Sequence, residues 1–567
     1  MKFSSPNASD KNILDRDILD KNIPDNNVNP TNPQSQHLIA DWNTLQRVFI
    51  RPEDESSRQT LVKYMEQIFF GLHDFLNKHV GVTEAISLAE LSLAHTDTRI
   101  NKEPLKKLAD VIEDIIQEIA PRAVNVASPY FVGHMTSAIP FFMVHLKAIT
   151  AALNQNMIKL ETSKILSVLE KQVLGKMHRM IFKREQAFYD AHVQNIETSL
   201  GVFTTGGTTA NITALWVARN LALLPRGSFS SIERDGIFAA FKAHDLERMV
   251  ILVSSRGHFS LKKAGGILGI GNQNVISIEE DENRSIDLKK LEQTIQALKI
   301  EGKTKILAIV GIAGATETGI IDPLPRLADI CRDHGIHFHV DAAWGGPVLL
   351  SEKYAPLLEG IQRADSVTID CHKQFYMPMT AGMVYFKDPT ALDQIVYHAR
   401  YINRKGSVDL GIKTLEGSRE ASSLILDSAL KIMGSKGYGL MIDHGIETAR
   451  AFAQKIDAHP LFQLVTPPCL NILTYRAVPP FIQKQLDTAD EMERCRLNAR
   501  LDLLNTNLQR TQREAGKSFV SRTRLRINPM DNQDVVVLRS VIMNPYTTPE
   551  ILDEILDEQE TLLADLI

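Results

Sequence analysis

The feature that most constrains this chain is a series of short, nearly uninterrupted apolar runs, Met249 to Val253, Ile306 to Ile312, Ile336 to Val340 and Ser366 to Ile369, separated by stretches of helical period. A strand that alternates polar and apolar residues can turn one face to water, whereas a continuous apolar run is covered on both faces. The intervening helices supply that cover, so the expected fold is α/β with a mostly parallel sheet. Around this body, residues 1–38 read as a disordered tail, because DKNILDRDILDKNIPDNNVNPTNPQSQ is polar and rich in Asn, Asp and Pro. Residues 39–159 read as a helical N-terminal arm, with Leu61, Tyr64, Met65 and Ile68, then Leu105, Leu108, Ile112, Ile115 and Ile116, at spacings of three and four. Residues 160–433 form the expected large domain, opened by the amphipathic stretch ILSVLEKQVLGKM. Residues 434–567 suggest a smaller α+β domain, with strand-like LNILTYRAV, FVSRTRLRI and VVVLRSVIM before a closing helix, PEILDEILDEQETLLADLI.

Composition narrows the function classes. With 567 residues, 44% hydrophobic, 23% charged and a formal net charge of −5, the chain has an ordinary globular make-up and no basic excess to attract nucleic acid. No apolar run approaches the ~18 residues that a membrane helix needs, and the first twenty residues are too rich in Asp and Asn for a signal peptide. Four cysteines, Cys331, Cys371, Cys469 and Cys495, have neither a CxxC pair nor metal-like spacing, so no disulfide framework and no metal are expected. A cytoplasmic setting fits these traits.

The chemistry concentrates where strands end. In TTGGTTANITALWVARN, Gly206, Gly207, Thr208 and Thr209 precede a helix; free N–H groups at such a start cradle a phosphate, and a tight turn with an N-cap is the plain alternative. In SSRGHFSLKKAG, His258 follows the run MVILV and could stack on an aromatic ring or serve structurally. In HVDAAWGG, Asp341 ends its strand where open α/β sheets bind ligands, positioned to pair with a cationic ring nitrogen or a metal, or to cap a helix; His339 reads as a core histidine. In DCHKQFYMP, Lys373 stands at the end of the next strand, and a lysine in such a pocket is a competent Schiff-base nucleophile. A solvated His-Lys loop is the alternative there.

Taken in order, GGTT, GHFS, HVDAAW and CHK resemble the fold-type I pyridoxal phosphate enzymes, specifically the group II amino-acid decarboxylases, with SPYFVGHMT, GATETGIID, IDLKKLE and LRSVIMNPYTT as further matching pieces from about Ser128 to Asn544. The resemblance implies that Lys373 links covalently to pyridoxal 5'-phosphate, that Asp341 keeps the ring nitrogen protonated, and that His258 and Ala343 pack on the two ring faces. It implies phosphate contacts from Gly207, Thr208, His372 and Thr136, and a supporting contact from Thr316. It also implies a homodimer in which Gly417 and Ser418 of TLEGSRE reach the neighbouring site. Tyr401 in HARYINRKGSVDLG is the candidate proton donor of a mobile loop, with Tyr397 read as packing, and Arg539 is the candidate grip on a substrate carboxylate. Family members usually carry proline before the histidine and tryptophan after the lysine; Cys371 and Gln374 stand here, which implies an unusual pocket rim. Within the family the chain is most similar to the bacterial aspartate 1-decarboxylases, which implies L-aspartate as substrate, with L-glutamate or an aromatic amino acid as the alternatives.

Overall fold

The computed structural model describes residues 55–77, 80, 88–398, 409–528 and 533–567. The expected tail, 1–38, lies outside them. Two compact units result, one made of residues up to Gly71 with Ser92–Ile119, the other of Leu72–Leu91 with Ala120–Ile567. In the first, the helix Glu55–Gly71 packs with Leu108–Asp114, which continues as a π-helical turn, Ile115–Ile119.

The second unit is built on a seven-stranded sheet of β1 (Gly201–Thr204), β2 (Arg248–Ser254), β3 (Val275–Ile278), β4 (Thr304–Ile312), β5 (His337–Asp341), β6 (Ser366–Asp370) and β7 (Gly382–Phe386). Its order is β1-β7-β6-β5-β4-β2-β3, and β7 runs against both its neighbours while the other pairs are parallel. All four apolar runs are strands, each within two residues of its expected limits, and the sheet is the expected mostly parallel one. Val250, Ile251, Leu252, Ala308, Ile309, Val310, Val340 and Val367 have no exposed surface, which is why these strands carry no alternation. The strands β1, β3 and β7 are additional; β1 and β3 have four residues each, too short to show a period.

The crossover helices end where their sequences signal. Asp287 caps Leu288–Glu301 by accepting the N–H groups of Lys289 and Lys290, and Gly302 closes it at φ 83°, a conformation that costs a glycine little. The link from β5 to β6 uses three 3₁₀ turns in place of an α-helix. A long helix, Ser422–Ala458, breaks at Gly434 (φ 64°) and leads to a second, antiparallel sheet ordered β10 (Ser521–Arg526), β11 (Asp534–Val541), β9 (Ile472–Ala477), β8 (Phe462–Thr466). The helix Pro549–Ala564 closes the chain. All four cysteines are free. Among the described residues no helix is long and apolar enough to cross a membrane, and no cluster of His, Cys, Asp and Glu could hold a metal ion.

Because Ile309 sits without exposure at the centre of β4, Ile309→Ala should leave a cavity and cost about 3 kcal/mol. A urea titration should show the unfolding midpoint of this variant clearly lowered; an unchanged midpoint would contradict the packing described.

Candidate active site

Parallel strands bring their carboxyl ends to one edge, and the polar residues follow directly. Register pairs Ile312 with Asp341 and Asp341 with Thr368, so the ends of β4, β5 and β6 are aligned. The loop after β1 places Gly206 to Thr209 at the same edge, the loop after β2 places Arg256 and His258 there, and the loop after β4 places Gly314 and Thr316 there. Gly207, Thr208, His258, Thr316, Asp341, Ala343, His372 and Lys373 all line one cavity of about 350 Å³.

The cradle is the start of the helix Gly207–Ala222. Its first intrahelical bond runs from the Ala210 N–H to the Gly206 carbonyl, which leaves the N–H groups of Gly207, Thr208 and Thr209 facing outward. A side chain at Gly207 is excluded, because a Cβ there would come within 2.7 Å of Asp370 Oδ2. Glu416 of TLEGSRE accepts the Thr205 N–H at 3.0 Å beside this cradle. Gly417 and Ser418 are exposed and line no part of this chain's own cavity, and the Ser418 hydroxyl accepts from Asn156 Nδ2 at 3.2 Å.

Lys373 Nζ sits 3.0 Å from Asp370 Oδ2, a buried carboxylate whose other oxygen has no partner. The pair must part before the amine can attack a carbonyl. Beyond it, Tyr376 takes a left-handed backbone conformation (φ 56°), strained for an aromatic residue and held by its hydroxyl donating to the Met543 carbonyl at 2.7 Å. His372 Nδ1 bonds the Ala381 carbonyl at 2.7 Å. Cys371 and Gln374 do not form the rim: both are buried, and Gln374 donates to the Trp344 carbonyl while accepting from Asn471. The departure from the family wording therefore lies in the buried layer behind the cavity, which neither residue lines.

Asp341 accepts from Asn211 Nδ2 at 2.9 Å and from the Ala343 N–H at 3.2 Å. His258 is half-buried, caps the helix Phe259–Ile267 by accepting the Ser260 N–H, and also meets Ser260 Oγ at 2.8 Å; burial lowers its pKa and favours the neutral ring. Thr136 lines a neighbouring apolar cavity with His372 and bonds His134 Nδ1 at 3.0 Å. Arg539 stands behind Thr316, whose carbonyl accepts its Nε at 2.8 Å; Nη1 donates to the Gly133 carbonyl and Ser521 Oγ, and Nη2 is buried without a partner. Tyr401 lies outside the described residues. Tyr397 donates to Glu233 Oε2 at 2.5 Å.

Sequence reasoning missed Asp370, Asn211 and Arg256. Asn211 had a signal: it falls on the same helical face as Leu215 and Ala218, and a polar residue on a buried face demands partners. Arg256 pairs with the buried Glu280. The donor set fits pyridoxal phosphate on two observations: the cradle has free N–H groups and no room for a side chain, and a lysine amine and a carboxylate line the same cavity.

The pyridoxal-dependent decarboxylase conserved domain matches residues 90–478. An aspartate 1-decarboxylase of Aliivibrio fischeri is 45% identical over 93% of this chain and 95% of its own length. An acidic amino acid decarboxylase of Bos taurus is 27% identical over 82% of each chain. The solved structure of Oryza sativa TDC with PLP and tryptamine superposes with a TM-score of 0.76 at 16% identity, covering 91% of this chain and all of that one, a likeness of fold.

Two substitutions test the cavity. Gly207→Ala should weaken pyridoxal phosphate binding by more than tenfold, about 1.4 kcal/mol, in an equilibrium absorbance titration, since its methyl group meets Asp370. Lys373→Ala should retain no covalently attached cofactor after borohydride reduction, as mass spectrometry would record. With this domain across more than half its length, the chain belongs to the pyridoxal-dependent decarboxylases and is a pyridoxal phosphate-dependent carboxy-lyase.

Proposed function

We propose that this enzyme removes the α-carboxylate of an acidic amino acid, with L-aspartate as substrate and β-alanine and CO2 as products, in supply of pantothenate and coenzyme A precursors. The observation that carries the substrate is the 45% identity to an aspartate 1-decarboxylase across nearly the whole of both chains. Arg539 supports it: three of its bonds fix the guanidinium, and a carboxylate would supply the acceptor that Nη2 lacks. Bound in the cavity, pyridoxal phosphate supplies an electron sink for the pair released when CO2 departs.

The chain's own groups do the rest. Gly207 and Thr208 N–H groups, His372 and Thr136 hold the phosphate, with Gly417 and Ser418 of a second copy. His258 and Ala343 clamp the ring faces and Thr316 supports one edge. Asp341 holds the proton on the ring nitrogen. Lys373, freed from Asp370, would hold the cofactor through its amine. Tyr401 delivers the proton that replaces the carboxylate. A homodimer is part of this reading, since Gly417 and Ser418 are exposed and line no part of this chain's own cavity. The setting we propose is the cytoplasm.

Incubation of the purified enzyme and cofactor with L-aspartate, L-glutamate, L-tyrosine and cysteine sulfinate, with amine products measured by mass spectrometry, decides the substrate. β-Alanine from aspartate is expected; γ-aminobutyrate or tyramine as the main product would overturn the assignment. Arg539→Lys should raise KM for aspartate about tenfold, about 1.4 kcal/mol, by losing the planar fork.

A further inference from the structure

The buried face between the helix Gly207–Ala222 and β5 carries a line of polar groups that the reaction as described does not use. Asn211, 1% exposed, donates through Nδ2 to Asp341 Oδ2 at 2.9 Å and to Ser260 Oγ at 3.0 Å. Its amide oxygen therefore faces the other way, where His339 Nε2 lies at 3.1 Å. His339 has no exposed surface, and its Nδ1 meets Ser366 Oγ at 2.9 Å; the same hydroxyl meets His337 Nε2 at 2.8 Å. His337, His339 and Asp341 share one face of β5 because strand side chains alternate.

With His339 neutral, as its burial favours, one arrangement of protons satisfies these contacts. With Asn211 Oδ1 as acceptor, His339 carries its hydrogen on Nε2, so Nδ1 accepts from the Ser366 hydroxyl, and Ser366 Oγ accepts from His337 Nε2. Burial pushes His339 down to about 4, which keeps it in the singly protonated form this arrangement requires. Every hydrogen in the line points toward Asp341. The second Asn211 N–H bonds Ser260, which is bonded in turn to His258 Nδ1. One amide thus braces the carboxylate and, through one hydroxyl, the half-buried histidine across the cavity.

We propose that Asn211 and His339 are positioning residues for Asp341: their directed hydrogen bonds fix the carboxylate oxygen that faces the cofactor's ring nitrogen and so set how tightly the cofactor is held. The proposal rests on the reading of Asp341 as the partner of that nitrogen. A satisfied core network without this role would brace the fold and leave cofactor binding alone, and coupling to Asp341 separates the two cases.

Pyridoxal phosphate affinity, read by visible absorbance in equilibrium titrations, and thermal melting of the cofactor-free protein are measured for Asn211→Ala, His339→Leu, His339→Gln, Asp341→Asn and the double variant of Asn211→Ala with Asp341→Asn. Asn211→Ala and His339→Leu are expected to weaken binding about tenfold, about 1.4 kcal/mol. His339→Gln, whose amide can still donate to Asn211 Oδ1, should recover most of that loss. In the Asp341→Asn background, Asn211→Ala should add less than about twofold. Wild-type affinity in Asn211→Ala, or a full tenfold loss that persists without the Asp341 carboxylate, overturns the proposal. If Asp341→Asn itself binds the cofactor as the wild type does, the reading of Asp341 has failed and the proposal falls with it, whatever Asn211→Ala shows. Should Asn211→Ala melt in the cold, the His339→Leu and His339→Gln pair carries the same test one link further along.

Discussion

The arrangement depends above all on the buried carboxylate of Asp341. Its strand is covered on both faces, so a charged group can appear only at the last residue, where the sheet opens, and even there it is 7% exposed. A carboxylate so far from water needs donors, and burial without them is expensive. Two N–H groups meet the need, one from Ala343 in the turn that follows and one from Asn211 on the helix packed above. That second donor is what makes the helix Gly207–Ala222 part of the site twice over: its start leaves N–H groups free at the cavity while a residue one turn in holds the carboxylate. The distance between cradle and carboxylate is thus fixed by a single rigid element and not by loops.

Much of this is legible in the sequence alone. Short continuous apolar runs admit few folds, and the residue that ends each run is placed at the sheet's open edge by parallel direction alone, so Asp341 and Lys373 can be named from their position after IHFHV and SVTID. The direction of β7 is legible in principle too. Eleven residues separate Asp370 from Gly382, fewer than a parallel return requires, and the strand accordingly runs antiparallel. What the local pattern hides are contacts made across long stretches of chain. Asn211 reaches a partner 130 residues away, and nothing near it in sequence says which polar group it will meet. Asp370 is hidden for a different reason: it reads as the end of a strand, and only the close approach of Gly207 reveals that it forms a wall of the cradle.

The departures from the family's wording show how local sequence and packing are exchanged. Gln374 stands where a tryptophan is usual, yet it is 3% exposed and closes a triangle with the Trp344 carbonyl and Asn471, which in turn accepts from the Trp344 indole N–H. An aromatic ring at that position would fill space; an amide there ties the loop after β5 to the loop before β9. Both solutions anchor the segment that carries the lysine, so the lysine's place survives the change.

Burial does not conflict with the binding role proposed for Arg539. Its Nε and Nη1 join the Thr316 loop, the Gly133 backbone and β10, so removing it would loosen three segments at once. Burial lowers its pKa to about 10, with Glu317 opposing the shift, and a guanidinium at that value is still charged at neutral pH. A cation already desolvated and already fixed loses little further freedom when an anion arrives, so under the proposed role its remaining donor would bind at low entropic cost. The same three bonds that make Arg539 structural are what aim Nη2, and a free, mobile arginine at the surface could offer the charge without the direction.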